Sequence, residues 1–416
     1  PELTPGTLPA SLQTLVFRNF NYQGRIQSRT LPSSLTSLTF SSGWFDLPLA
    51  QAYLSPIKSL KTLTLGLNYN QPLNEGDIPP TVERLMFGSK FNQLITPGSM
   101  PNSITELNMG NSYNQRISVG SLPSFLKSLT FGYAFNQVLE PGTLPPSLTT
   151  LTLGYTFNQV IPPGTLPLSL TTLTFGNMFN QVIAPGTLPL SLTTLTLGER
   201  FNQVIVPGMF PESLHTLISK ASNHIYQTNP DADTVYPKSF TSMTLSCQIS
   251  PGSLPSSLSS LVFLSQPYLI PGSLPQSLVS LEFPKGYNEI LDSDVLPQSL
   301  RRLKIGMFYK KNSGKTKLTG TLSHLTLDSF KRIDKLDKFL GQEDRRTHLV
   351  IKDIVDQRKV TKERADVPLK SLSIWCAVHC SNKRRIPNQE AFLVQTIVSN
   401  IPNVQLYRIG LNHGRK

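Results

Sequence analysis

Residues able to do chemistry are few in this chain and do not converge. Six histidines (His215, His224, His324, His348, His379 and His413) are scattered through 416 residues with no shared spacing. Acid–base catalysis needs titratable groups gathered so that neighbours shift their pKa values, and no such grouping is readable. Gly314-Lys315-Thr316 ends like a phosphate-binding loop, but the glycine required five positions upstream is Tyr309, so the backbone cradle fails. Cys376, His379 and Cys380 place three soft ligands within five residues. Tetrahedral zinc needs four donors, and Cys247 is the one cysteine left. Cys376 also lies in the alternating stretch Ser371–Val378, where a buried, inert thiol is the ordinary reading. The chain is therefore expected to be no enzyme and to carry no cofactor and no metal.

What does recur is structural. Tyr or Phe followed by Asn returns every 22 residues, at Tyr69, Phe91, Tyr113, Phe135, Phe157, Phe179 and Phe201. Gly142–Gly154, Gly164–Gly176 and Gly186–Gly198 are nearly copies of one another. A fixed period of 20–29 residues with Leu-x-x-Leu-x-Leu spacing marks a solenoid of the leucine-rich-repeat type. Each unit of such a rod contacts only its neighbours and contributes to one extended surface. The expected fold is mainly β: a curved, leucine-rich-repeat-like parallel β-solenoid with a C-terminal α/β capping region.

Within one unit, Leu151 and Leu153 point inward while Thr150 and Thr152 point outward, because strand side chains alternate. Pro145 cannot donate to a ladder and suits the corner before the strand. Gly154 and Gly164 suit corners that need unusual dihedrals. Phe157 and Ile161 are assigned to the inward layers of the far wall. Two prolines in 22 residues leave no room for a helix there, so turns and extended chain are expected. Asn92, Asn114, Asn136, Asn158, Asn180 and Asn202 are read as a ladder that satisfies buried backbone groups; a line of ligand contacts is the alternative. Prolines preceded by an apolar residue keep a 22–24-residue spacing up to Pro211. The interval then becomes irregular, and a loop is expected at about residues 219–240.

With Phe157-Asn158-Gln159-Val160-Ile161-Pro162 in view, the array resembles the FNIP repeat family, a 22-residue leucine-rich-repeat variant of social amoebae and giant viruses. The resemblance spans roughly residues 1–310. The hexapeptide is complete only at Phe157–Pro162. Phe91, Phe135, Phe179 and Phe201 keep Phe-Asn-Gln but lose the final Pro or the Ile. Some members of the family carry an F-box or a protein kinase domain ahead of the repeats, which implies adaptor or substrate-selecting roles. No F-box or kinase motif is visible here. The chain starts at Pro1, already inside a repeat, so an N-terminal segment is expected to be absent.

Charge divides the sequence. Residues 1–300 hold 13 Lys and Arg against 15 Asp and Glu, whereas residues 301–416 hold 25 against 10. The expected division is a repeat solenoid over 1–310 and a basic C-terminal region over 311–416. In that region Phe330, Ile333, Leu336, Phe339 and Leu340 have helical spacing, 388–399 reads as a second helix, and 349–355, 369–377 and 404–409 read as strands. Three cysteines and no Asn-x-Ser/Thr acceptor favour an intracellular, cytoplasmic home. No apolar run is long enough to span a bilayer.

Specificity is expected where side chains break the outward Thr-x-Thr pattern of Thr62/Thr64, Thr150/Thr152, Thr172/Thr174 and Thr194/Thr196. Such an array also fits ordinary sheet propensity; its interruptions and an intracellular setting suit ice poorly. Arg84, Met86, Glu106 and Asn108 interrupt it on adjacent units. Tyr133, Tyr155 and Arg200 follow the strands as a rim. These seven are the candidate partner-binding residues of a protein–protein interaction scaffold or adaptor, with substrate selection for an F-box or signalling domain as its finer form. The alternative is nucleic-acid or anionic-surface binding through residues 301–416, where basic clusters such as Lys383/Arg384/Arg385 recur.

Overall fold

The structure is a computed structural model. It describes residues 4–18, 26, 29–41, 46–52, 54, 57–221, 232–287, 289, 291, 294–305 and 321–327, together with the backbone of three strands at 348–351, 371–377 and 407–412. Contacts divide the chain into two units, Pro1–Ala221 and Ser222–Lys416.

In the first unit each repeat contributes one strand of three or four residues. These are β1 (Thr14–Phe17), β2 (Ser37–Phe40), β3 (Thr62–Thr64), β4 (Arg84–Met86), β5 (Glu106–Asn108), β6 (Ser128–Thr130), β7 (Thr150–Thr152), β8 (Thr172–Thr174), β9 (Thr194–Leu197) and β10 (Thr216–Ser219). Consecutive strands pair in parallel with equivalent residues side by side, as Leu151 beside Leu173 and Leu173 beside Leu195. The strands are short because both ends are held by turns. The Pro145 carbonyl accepts the Leu148 N–H at 3.1 Å, and Phe157 N–H donates to Gly154 O at 3.1 Å. The far wall has turns and extended chain without a helix over residues 154–163.

The core is one layer thick and repeats with the coil. Leu148, Leu151, Leu153, Phe157 and Ile161 are buried, as are their equivalents in neighbouring coils. Tyr69, Phe91, Tyr113, Phe135, Phe157, Phe179 and Phe201 form an unbroken aromatic stack, with successive centroids 6.0 to 6.2 Å apart. Full burial of each such ring contributes about 1.5–3 kcal/mol, so stability accrues coil by coil.

Gly154 and Gly164 serve different ends. Gly164 adopts a φ of +82°, as the corner reading requires, with open space where a Cβ would go. Gly154 has no such dihedral. A Cβ there would lie 2.0 Å from the Gly132 carbonyl oxygen of the preceding coil, so close stacking of backbones demands this glycine. The expectation of an unusual dihedral at Gly154 is corrected accordingly.

The second unit repeats the design with more variation. A single helical turn, α1 (Ala232–Val235), precedes β11 (Ser242–Leu245), β12 (Ser260–Phe263), β13 (Ser280–Glu282), β14 (Arg302–Ile305), β15 (His324–Leu327), β16 (His348–Ile351), β17 (Ser371–Ala377) and β18 (Tyr407–Asn412). These strands also pair in parallel and in order. Leu303 of β14 stands beside Leu325 of β15, so the ladder runs on past residue 310, where the composition changes. Of the irregular stretch at 219–240, Ser219 closes β10 and 232–235 form α1, while 222–231 lie outside the described residues. The helices expected at 330–340 and 388–399, the Gly314-Lys315-Thr316 motif, His379, Cys380 and the Lys383/Arg384/Arg385 cluster also lie outside them. Across the described residues the fold is a parallel β-solenoid of the leucine-rich-repeat kind.

Candidate functional site

Outward side chains of β3 to β9 form two columns, because parallel pairing places equivalent residues side by side. Hydroxyls fill both columns on β6, β7, β8 and β9. Beside them, Thr149, Thr171 and Thr193 donate their Oγ1 hydroxyls to backbone carbonyls of the preceding coil at 3.0 to 3.1 Å. The hydroxyl pattern breaks on β4 and β5. Arg84 stands beside Glu106 and Met86 beside Asn108. Arg84 Nε and Glu106 Oε2 are 3.1 Å apart. Both side chains are more than half exposed, so the pair itself stabilises little. It does cancel two charges and leaves the wall locally neutral. Asn108 is held by its own turn, its Oδ1 accepting the Gly110 N–H at 3.0 Å.

Here lies an open hollow of about 220 Å³ whose lining includes Thr64, Leu67, Met86, Gly88, Asn108 and Asn111. Leu67 is 54% exposed and belongs to the surface although the sequence reading omitted it. The signal was present: Leu67 follows Gly66 just as Tyr133 follows Gly132 and Tyr155 follows Gly154. At that position Tyr133 and Tyr155 stack on each other, centroids 4.6 Å apart and planes within 7°. They remain 56% and 38% exposed. Tyr133 lies on the coil next to the β4–β5 patch, the Ala134 N–H bonding Asn111 O of the β5 coil at 2.8 Å. Arg200 stands apart from the tyrosines, since the Asn177–Met178 coil intervenes, with Met178 N–H bonded to Tyr155 O and Arg200 N–H bonded to Asn177 O. Arg84, Met86, Glu106 and Asn108 thus come together, and Tyr133 joins Tyr155, but Arg200 joins neither group.

Two ladders behind this wall hold the coils in register. The Asn136 Oδ1 accepts the Asn158 N–H at 2.8 Å and the Gln159 Nε2–H at 3.1 Å. The same arrangement links Asn70 through Asn202, and Asp46 begins it by accepting the Asn70 N–H at 2.8 Å. The asparagines are therefore structural, as read, and the adjoining glutamines share the task. A serine ladder escaped the sequence reading: Ser147, Ser169, Ser191 and Ser213 each donate to a leucine carbonyl of the preceding coil at 2.6 to 2.7 Å.

Titratable groups with displaced pKa values lie in the core rather than on this wall. Burial pushes the Tyr69 and Tyr113 phenols up, with Asp77 and Asp46 adding to the effect on Tyr69. Burial likewise pushes the Cys247 thiol up to about 12, which makes it a poor nucleophile or ligand. Among the described residues no three His, Cys, Asp or Glu lie together as metal ligands, and no helix is long and apolar enough to cross a membrane.

The FNIP repeat family model matches residues 1–43, 46–90, 91–134, 135–178, 179–218 and 263–308. The chain belongs to the FNIP repeat family. FNIP repeats of this kind build solenoids, which typically serve as protein-interaction scaffolds. Over 100% of its length this FNIP chain is similar to the giant-virus protein CroV588, described as a novel circular leucine-rich-repeat structure, with 29% identity and a TM-score of 0.66. The chain spans 65% of the CroV588 chain. A second similar structure is from the Drosophila Toll–Spätzle complex, at 12% identity and a TM-score of 0.40, covering 97% of this chain and 62% of that one. No curated protein matches the sequence.

Proposed function

We propose that this FNIP chain is a non-enzymatic scaffold or adaptor that docks a protein partner on the strand wall of its first unit. The observation that carries the reading is the interruption of a hydroxyl-lined strand wall by Met86, Leu67 and the stacked Tyr133 and Tyr155, next to a neutral Arg84–Glu106 pair. Interfaces draw most of their energy from a few aromatic and aliphatic anchors surrounded by polar contacts. Tyrosine is suited to this because a rigid ring offers large area at low entropy cost. Arg200, two coils from Tyr155, serves as an outlying contact. A hydroxyl-lined wall elsewhere supplies a bland surround, which lets the interruptions set specificity. The finer form of the proposal is substrate selection on behalf of an F-box or signalling domain, in an intracellular, cytoplasmic setting.

The experiment is a binding comparison on partners captured by the full chain. Tyr133→Ala with Tyr155→Ala, or Met86→Asp, is expected to weaken binding by about tenfold or more, the loss typical of hot-spot truncation. Val182→Asp on the far wall is the control and is expected to leave affinity unchanged. Loss of binding in the control alone would refute the assigned wall.

A further inference from the structure

The second unit carries a surface of different character. Arg301 and Arg302 are exposed, and Lys304 follows on β14. Arg302 stands beside His324 of β15 and Lys304 beside Thr326. On the outward columns of β11 to β15 one carboxylate occurs, that of Glu282, and Lys304 already engages it. Arg301 is held in place: its Nη1 donates to the carbonyls of Gln298 at 2.8 Å, Leu300 at 3.2 Å and, on the next coil, Thr321 at 3.4 Å. A guanidinium has five N–H donors, so its remaining donors stay available while the group is preorganised. The surrounding sequence reinforces the sign, since residues 301–416 hold 25 basic against 10 acidic side chains. In-register pairing runs from β14 through β18.

We infer that the second unit carries an electrostatic docking surface for an extended, Asp- and Glu-rich protein segment, with Arg301, Arg302 and Lys304 as its contacts on β14. Charge complementarity selects an acidic partner. A protein segment is favoured over nucleic acid because the outward columns of β11 to β15 bear no Phe, Tyr or Trp on which bases could stack. The Glu282 carboxylate in the column opposes a continuous phosphate track, whereas a peptide that alternates acidic and neutral side chains avoids it. This surface is distinct in residues and in chemistry from the neutral wall of the first unit.

The test titrates the full chain into labelled poly-L-glutamate and into a single-stranded oligodeoxythymidine of equal charge. Binding to poly-L-glutamate is expected, and to weaken by about tenfold or more between roughly 50 and 200 mM salt, because exposed ion pairs are screened. Arg302→Glu, at an exposed position, is expected to weaken it about fivefold at low salt, while Arg116→Glu, exposed in the first unit, leaves it unchanged. Absence of binding overturns the inference. Tighter binding to the oligonucleotide overturns it in favour of nucleic acid, and equal effects of the two substitutions overturn the placement on β14.

Discussion

The side-chain carbonyl of Asn136 accepts the backbone N–H of Asn158, 22 residues later, at 2.8 Å. It also accepts Gln159 Nε2–H, so one oxygen serves two donors of the next coil. Asn136→Ala is expected to lower stability by about 2 kcal/mol, the cost of leaving partly buried donors unpaired. Asn136→Asp keeps the acceptor, as Asp46 does at the start of the ladder, and is expected to lose less than half as much. Urea midpoints of the two variants decide the matter.

Gly154 and Gly164 separate two reasons for glycine. Gly164→Ala meets open space but a φ of +82°, and is expected to cost about 1–2 kcal/mol. Gly154→Ala would drive a methyl against the Gly132 carbonyl at 2.0 Å and push the adjoining coils away from each other. Its expected cost exceeds about 3 kcal/mol, at the severe end of overpacking. Equal thermal shifts for the two variants would show the close approach to be unimportant.

Tyr113 sits in the aromatic stack where five other coils use phenylalanine, and its buried hydroxyl has no hydrogen-bond partner among the described residues. Tyr113→Phe keeps the ring and removes the desolvated hydroxyl. A gain of about 1 kcal/mol is expected, read as a higher urea midpoint with an unchanged slope.

Alkaline pH should destabilise the fold. The Cys247 thiol is raised from 9.0 to about 12 in the folded chain, and the Tyr69 and Tyr113 phenols are raised as well. A raised acid stays protonated when folded while the unfolded chain deprotonates. The contribution is therefore intact below about pH 9 and lost as pH climbs toward 12. The melting temperature is expected to fall between about pH 9 and 11, and the fall should be shallower in Tyr113→Phe. Cys247 should also resist thiol reagents until the second unit unfolds.

Much of this molecule is legible because a solenoid turns long-range contacts into a one-dimensional pattern. Leu148, Leu151, Leu153, Phe157 and Ile161 announce their burial by period alone, and Tyr69 through Phe201 announce the stack. Serine in the Pro-x-Ser-Leu corner was equally periodic, yet its role was hidden, because Ser169 bonds a carbonyl 21 residues away that only stacking brings within reach. The 22-residue register of Leu, Phe and Asn by itself determined coil, core and family. Tertiary structure decided what the surface residues do: it joined Arg84 to Glu106, laid Tyr133 on Tyr155, left Arg200 beyond an intervening coil, and made Gly154 a matter of contact rather than dihedral. Burial follows from periodicity, which a sequence carries. Pairing across coils depends on ångström-scale offsets between neighbouring backbones, which exist only once the chain has wound up.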